Sequence, residues 1–100
     1  MSIFNSAGKY IGFTKSERFY SIAGDFLGWI EDVHVWDKLG NYRGKIVEIS
    51  GAHYILKDIS FIDPASRPAR EEGPTEQEQP AKDIASVNLP FNLKDGFLIA

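Results

Sequence analysis

Glycine recurs in this sequence at an interval of 16 residues, and that interval constrains the fold more than any other feature. One glycine series occupies positions 8, 24 and 40, and a second occupies positions 12, 28 and 44. Aromatic residues keep the same interval, four positions before the first glycine of each unit and two positions after it. A fixed period indicates one supersecondary motif used several times along the chain. The spacing therefore predicts at least three consecutive copies of a 16-residue unit.

Each unit contains a four-residue sequence that is typical of a type I turn. These sequences are Asn-Ser-Ala-Gly at 5–8, Ser-Ile-Ala-Gly at 21–24 and Asp-Lys-Leu-Gly at 37–40. Asn, Ser or Asp at the first position can bond the backbone two residues on. Glycine at the fourth position accepts a positive φ and forms a bulge that keeps the twist of a hairpin. We therefore predict an all-β fold of repeated hairpins arranged with pseudo-symmetry.

The second glycine of each unit lies inside a predicted strand, where it indicates a close approach of another backbone, as if around a shared axis. A fourth unit is predicted from Tyr54 to Ile62, after a two-residue insertion at 50–51. This unit is degenerate, because Asp58 stands at the position of the turn glycine and Ile62 at that of the strand glycine. Terminal repeats are often atypical because they cap the array.

The pattern over residues 3–62 resembles the bacterial four-fold β-flower family, whose members carry short hairpins with a polar-x-x-Gly turn and an aromatic-x-Gly step. The residues that carry the resemblance are Phe4, Gly8, Gly12, Tyr20, Gly24, Gly28, Trp36, Asp37, Gly40 and Gly44. The resemblance implies hairpin petals around a pseudo-symmetry axis. It implies no activity and no functional residues.

The chain divides into three parts by composition. Residues 1–63 form the predicted hairpin domain. Residues 64–82 are predicted to be a disordered Pro/Glu-rich linker, because they hold four of the five prolines and almost no apolar side chain to bury. Residues 83–100 form an apolar tail in which Val87, Leu89, Phe91 and Leu93 alternate with other residues. This alternation predicts a strand near 86–94, at a sheet edge because Pro90 cannot donate to a ladder.

The tail at 83–100 needs a surface to bury its apolar side chains, and three surfaces are open to it. It can fold back onto its own hairpin domain, which is the simplest arrangement. It can instead exchange onto a second copy, which would make a homo-oligomer, or recruit a different protein. An exposed apolar edge is prone to aggregation, so a free tail is disfavoured.

Composition excludes several classes of function. The net charge of −3 and the lack of a basic cluster argue against nucleic-acid binding, which needs grouped Lys and Arg. No run approaches the ~18 apolar residues of a membrane-spanning helix. The absence of cysteine excludes disulfides and cysteine-based zinc sites. The first residues lack the features of a signal peptide, so we expect a bacterial cytoplasmic protein.

Four aromatic residues are the candidates for a binding site: Tyr20, Trp29, Trp36 and Tyr54. Three of them share a repeat position with Phe4, where they would pack as core or, alternatively, stack on a sugar or another planar ligand. Trp29 is equivalent to Phe13 and Lys45, so it is predicted to be partly buried or to form a surface patch with Phe13.

No group of residues predicts catalysis, a cofactor or a metal. His34 and His53 are not repeat-equivalent, and their spacing matches no ligand motif. Glu31 and Asp32 are predicted in a tight turn, and no serine lies in a nucleophile motif. The sequence therefore favours a non-catalytic protein-interaction or self-assembly module. The alternative is a module that binds a small carbohydrate-like ligand through the repeat aromatics.

Overall fold

The computed structural model describes residues 1–71 and 75–97, and these form a meander of β-strands without a helix. The strands are β1 Ser2–Phe4, β2 Tyr10–Lys15, β3 Arg18–Ser21, β4 Phe26–Glu31, β5 His34–Asp37, β6 Tyr42–Ile49, β7 Ala52–Asp58 and β8 Leu93–Asp95. Consecutive strands pair antiparallel, and β1 also pairs with β7 in parallel. That pairing closes a seven-stranded barrel, so the predicted all-β hairpin fold is confirmed. Within the described residues, nothing is long, helical and apolar enough to cross a bilayer.

The predicted turns form as expected, and we call residues 5–8, 21–24 and 37–40 the glycine turns. In each, the N–H of the fourth residue donates to the carbonyl of the first at 2.9 Å. The glycines have φ angles of 85°, 90° and 89°. The polar side chain at the first position accepts from the backbone N–H four residues on. A bulge in the adjoining strands follows each turn, as hairpins of this type require.

The strand glycines lie where neighbouring backbone leaves no room for a side chain. A Cβ atom on Gly12 would lie 2.1 Å from the carbonyl oxygen of Tyr20, and one on Gly28 would lie 2.1 Å from that of Trp36. The predicted close approach is therefore confirmed. The neighbour is the carbonyl of the adjacent strand, however, and not other glycines gathered around an axis.

The fourth unit departs from the predicted frame. The frame places its turn at 55–58, but β7 continues through Asp58 and the turn lies at 58–61. There the N–H of Ser60 donates to Oδ1 of Asp58 at 2.9 Å. The prediction is wrong by three residues because residues 56–58 pair with β8, which holds them extended.

The C-terminal edge strand is present but shorter than predicted. It spans Leu93–Asp95 and not 86–94. Pro90 starts a turn in which its carbonyl accepts from the N–H of Leu93 at 3.0 Å. Upstream, the N–H of Val87 donates to the carbonyl of Ser6 and so takes no part in a ladder. Strand β8 pairs with β7 on the edge opposite β6, since Leu56 pairs with β6 on one side and with β8 on the other. Strand β1 pairs with the same edge of β7, nearer the start of β7.

Three apolar clusters form the core. The central cluster draws on all seven barrel strands and on the tail, and contains Ile3, Ile11, Phe19, Ile30, Val35, Ile55 and Phe97, with Leu27 and Ile46 packed against it. The aromatic cluster contains Phe13, Tyr20, Phe26, Trp29 and Trp36, with Tyr42 at its margin. The closing cluster contains Phe4, Tyr10, Tyr54 and Leu56, and tail residues such as Val87 and Leu89 pack on it. Repeat-equivalent aromatics therefore serve mainly as core.

The strand glycines give the first testable prediction. Gly28→Ala and Gly12→Ala should each destabilise the fold by about 1–3 kcal/mol or more, because the new methyl group meets a backbone carbonyl that cannot rotate away. Urea unfolding followed by tryptophan emission measures the loss. Stabilities within about 0.5 kcal/mol of the parent, the range of neutral surface changes, would contradict the close approach.

Candidate functional site

The segment after β7 lies across the three glycine turns, and we call its described residues, 65–71 and 75–87, the strap. The N–H of Arg67 donates to the carbonyl of Gly40 at 2.8 Å. The same contact joins Glu76 to Gly24 at 3.1 Å, and Ile84 to Gly8 at 2.7 Å. The strap thus meets the turns in reverse chain order and makes one repeated hydrogen bond at each.

The turn glycines also provide the space in which the strap lies. A Cβ atom on Gly40 would lie 1.7 Å from the carbonyl oxygen of Arg67, and one on Gly24 would lie 1.8 Å from that of Glu76. Any other residue at these positions would displace the strap. The sequence predicts disorder for 64–82, and the described residues of that range contain no helix or strand. That disorder stays a prediction, and residues 72–74 and 98–100 lie outside the described residues.

One part of the strap fits a group on β4 and β5 that we call the acidic-aromatic trough: Trp29, Glu31 and Trp36. The two indole rings are stacked, with centroids 6.5 Å apart and planes at 16°. The guanidinium carbon of Arg67 lies 4.3 Å from the ring centroid of Trp36, and that of Arg70 lies 4.2 Å from the centroid of Trp29. Two nitrogens of Arg67 lie 3.3 Å from the carboxylate oxygens of Glu31. The trough therefore binds two arginines of its own chain.

Glu31 is the centre of this arrangement. Its Oε2 atom accepts a hydrogen bond of 2.8 Å from Nε1 of Trp29 as well as the bond from Arg67. These two hydrogen bonds, in that order, hold the pKa of the Glu31 carboxyl below its usual value, and the charges of Arg67 and Arg70 act in the same direction. The trough is accordingly anionic and favours a cationic, planar group.

The structure brings three of the four candidate binding residues together. Tyr20, Trp29 and Trp36 lie in the aromatic cluster with 4%, 2% and 2% of their surfaces exposed. Tyr54 lies in the closing cluster and is 1% exposed. Trp29 is thus more buried than the partial burial that its repeat position predicts. A ligand-stacking role for these residues stays a prediction, and it would require the strap to leave the two indoles.

The histidines contact separate partners. Nδ1 of His34 lies 2.8 Å from the hydroxyl of Tyr42, and Nε2 of His53 lies 3.3 Å from a carboxylate oxygen of Glu48. No group of three or more histidine or carboxylate side chains with metal-site geometry occurs in residues 1–71 and 75–97. The arrangement of each histidine is that of a strand-surface residue with a polar neighbour.

A second surface, the apolar patch, consists of Ile59, Phe61, Ile62 and Phe91. Their exposed fractions are 55%, 75%, 98% and 96%, and the last three are the most exposed large apolar side chains of the described residues. The two turns that carry the patch are joined by the N–H of Ile59, which donates to the carbonyl of Asn92 at 2.8 Å. Phe61 and Ile62 also line a cleft of about 350 Å³.

Sequence reasoning missed both surfaces. The sequence predicts disorder for 64–82 because that range has almost no apolar side chains, and the backbone hydrogen bonds between the strap and the glycine turns leave no mark on the sequence. The patch had a visible signal, since the degenerate fourth unit keeps large apolar residues in its turn although the turn glycine is lost. Arg67 and Arg70, three residues apart, carried no signal without knowledge of the trough.

Strap docking can be separated from turn strain by comparing two glycines. Gly24→Ala and Gly51→Ala both place alanine at a φ between +84° and +90°, but only the methyl group at position 24 meets the strap. We expect Gly24→Ala to increase amide hydrogen exchange at Glu76 at least tenfold more than Gly51→Ala does. In the parent, the amides of Arg67, Glu76 and Ile84 should be protected. Random-coil exchange at these amides would support the predicted disorder instead.

Acid should loosen the strap at the trough. The pKa of Glu31 is lower when the strap is docked, so the ionised carboxylate stabilises docking. This stabilisation is complete above the ordinary pKa of glutamate and is lost as the pH falls through the lowered pKa. We expect a tryptophan emission change in that acidic range that is absent in Glu31→Gln. An identical acid titration in the variant would assign the change to another carboxyl, such as Asp58, whose pKa is lowered mainly by a hydrogen bond from Ser60.

Comparison with known proteins identifies the family of this chain. Residues 1–93 match the model of a family described as 4-fold beta flower protein. The match spans the barrel, the strap and the first residue of β8, so the strap belongs to the family unit as much as the hairpins do. No curated protein and no solved structure matches the chain. Since the family model covers more than half of the residues, this chain belongs to the 4-fold beta flower family.

Proposed function

We propose that this protein is a non-catalytic interaction module that assembles with a second copy of itself through the apolar patch. The observation that carries the proposal is the exposure of Phe61 and Phe91 on two adjacent turns and of Ile62 directly after the first turn. Monomeric proteins seldom leave such large apolar side chains grouped and open to water, and grouped exposure is typical of interaction surfaces. Phe91 also belongs to 83–100, and exchange of this segment onto a second copy is one of the three arrangements that its apolar pattern leaves open.

The surroundings of the patch favour a copy of the same chain as partner. Lys57 and Asp63 form an ion pair of 2.8 Å beside it, and Lys45 and Asp58 line the adjoining cleft. A two-fold interface brings a patch against itself, so a mixed-charge rim can pair with its symmetry mate around an apolar centre. A strongly one-signed rim would instead have favoured a partner of opposite charge.

We place this module in the bacterial cytoplasm as part of the same proposal. The support is the absence of cysteine from the sequence, since a chain that relies on packing alone suits a reducing compartment. The small-ligand alternative stays a prediction from the repeat aromatics.

Light scattering on the full chain tests the self-association. We expect the parent to have a solution mass of twice 11.2 kDa. The dimer dissociation constant of Phe61→Ser/Ile62→Ser should be at least tenfold larger, because both side chains would lose buried apolar contact. Phe91→Ser should change it in the same direction. Leu39→Ser is the matched control, because Leu39 is 66% exposed but lies in the third glycine turn.

Two outcomes would contradict the proposal. A parent that stays monomeric at high micromolar concentration would show that the patch does not mediate self-association. A dimer that Phe61→Ser/Ile62→Ser leaves intact, with Leu39→Ser unchanged, would place the interface elsewhere.

A further inference from the structure

The arginines of the strap are held by contacts that select for arginine. Arg67 places its guanidinium carbon over the ring of Trp36 and directs two nitrogens to the Glu31 carboxylate. A forked ion pair made by a cation that also lies over an aromatic ring is a geometry that lysine cannot reproduce. Arg70 adds a second cation over Trp29 at 4.2 Å. These side-chain contacts come in addition to the backbone hydrogen bonds with which the strap meets the three glycine turns.

The same segment is also recognised through its backbone, independently of sequence. The N–H groups of Arg67 and Arg70 donate to the carbonyls of Gly40 and Lys38, each at 2.8 Å. Nε1 of Trp36 donates to the carbonyl of Ala65 at 3.0 Å. Two amides three residues apart fix the register of an extended chain, and that register sets each arginine over its indole.

From these contacts we propose that the acidic-aromatic trough is a binding site for an extended peptide of another protein with two arginines three residues apart. Strap residues 65–70 occupy the site in cis, as a tethered ligand. We infer a cationic partner from charge complementarity. Glu31 places a carboxylate at the centre of the trough, and the rings of Trp36 and Trp29 each have an arginine guanidinium over them.

The tethered ligand is partly open to exchange. The side chains of Arg67 and Glu31 are 37% and 43% exposed, so water and competitors reach the ion pair. The chain that leads into the segment passes through Phe61 and Ile62, which are 75% and 98% exposed. A tethered ligand acts at a high effective concentration, so a foreign peptide must compete with it, and the parent protein binds more weakly than a variant with an emptied trough. The trough lies on β4 and β5, and the proposal is independent of the apolar patch.

The test uses the full chain with Arg67→Ala/Arg70→Ala, which empties the trough of its own guanidinium groups. Lys9→Ala/Lys82→Ala is the matched control, because it removes the same charge at two exposed positions away from the trough. The probe is the acetylated peptide Pro-Ala-Ser-Arg-Pro-Ala-Arg-Glu, with a second peptide in which lysine replaces both arginines. Tryptophan emission reports binding, since both tryptophans of the chain line the trough.

We expect saturable binding of the arginine peptide to Arg67→Ala/Arg70→Ala, at least tenfold weaker binding to the parent and to Lys9→Ala/Lys82→Ala, and at least tenfold weaker binding of the lysine peptide. Adding Glu31→Gln to the emptied variant should also weaken binding at least tenfold. Equal affinity for both peptides would overturn the proposal, as would unchanged emission in a variant whose near-ultraviolet circular dichroism shows a native fold.

A second measurement uses the parent protein, so it tests the proposal even if the Arg67→Ala/Arg70→Ala variant does not fold. In the parent, saturating arginine peptide should shift the amide resonances of Arg67 and Arg70 and increase their hydrogen exchange, because the peptide displaces their bonds to Lys38 and Gly40. Unchanged amides would overturn the proposal. A dimer of the parent that Arg67→Ala/Arg70→Ala abolishes would overturn it too, since the occupant would then be a second copy.

Discussion

Three glycine carbonyls at the turns of the barrel accept hydrogen bonds from the strap, and the arrangement of the described residues after β7 depends on them. Each glycine meets two requirements at once. Its positive φ forms the turn, and its missing Cβ leaves the space in which a strap carbonyl lies. Because the bonds recur at every glycine turn, the strap follows the repeat of the barrel although its own sequence has no repeat.

The strap in turn leads to β8, which lies outside the closed barrel. It carries the chain back to the only edge of β7 that β6 leaves open, where β8 pairs beyond the end of β1. Asp95 of β8 accepts from the backbone N–H and the hydroxyl of Ser6 at 2.8 and 2.7 Å, which ties the strand to the first glycine turn. Phe97 then enters the central cluster, 4.9 Å from the ring of Phe19 and beneath the guanidinium of Arg43. The tail therefore contributes Phe97 to the core.

Both proposed interaction surfaces lie where the repeat is least regular. Three of the four residues of the apolar patch belong to the degenerate fourth unit, whose turn carries Ile59 and Phe61 without a turn glycine. The trough depends on Trp29 and Glu31 of the second unit. The first unit has Phe13 and Lys15 at these two positions, and the third unit has Lys45 and Val47. Regular positions of the repeat build the barrel, and departures from it are free to carry specificity.

The sequence by itself determined the hairpins, because turn chemistry and strand glycines act over four to sixteen residues and leave their signature in local spacing. It also predicted core positions for Tyr20, Trp36 and Tyr54, with stacking on a planar ligand as the alternative, and all three side chains are buried. Only the tertiary structure decided that residues 65–71 and 75–87 follow the glycine turns, since backbone hydrogen bonds leave no mark on side-chain pattern. It alone decided that Arg67 meets Glu31 across 36 residues of chain. The length of β8 was decided the same way, because a strand exists only where a partner edge is free, and that edge is created by the closed barrel.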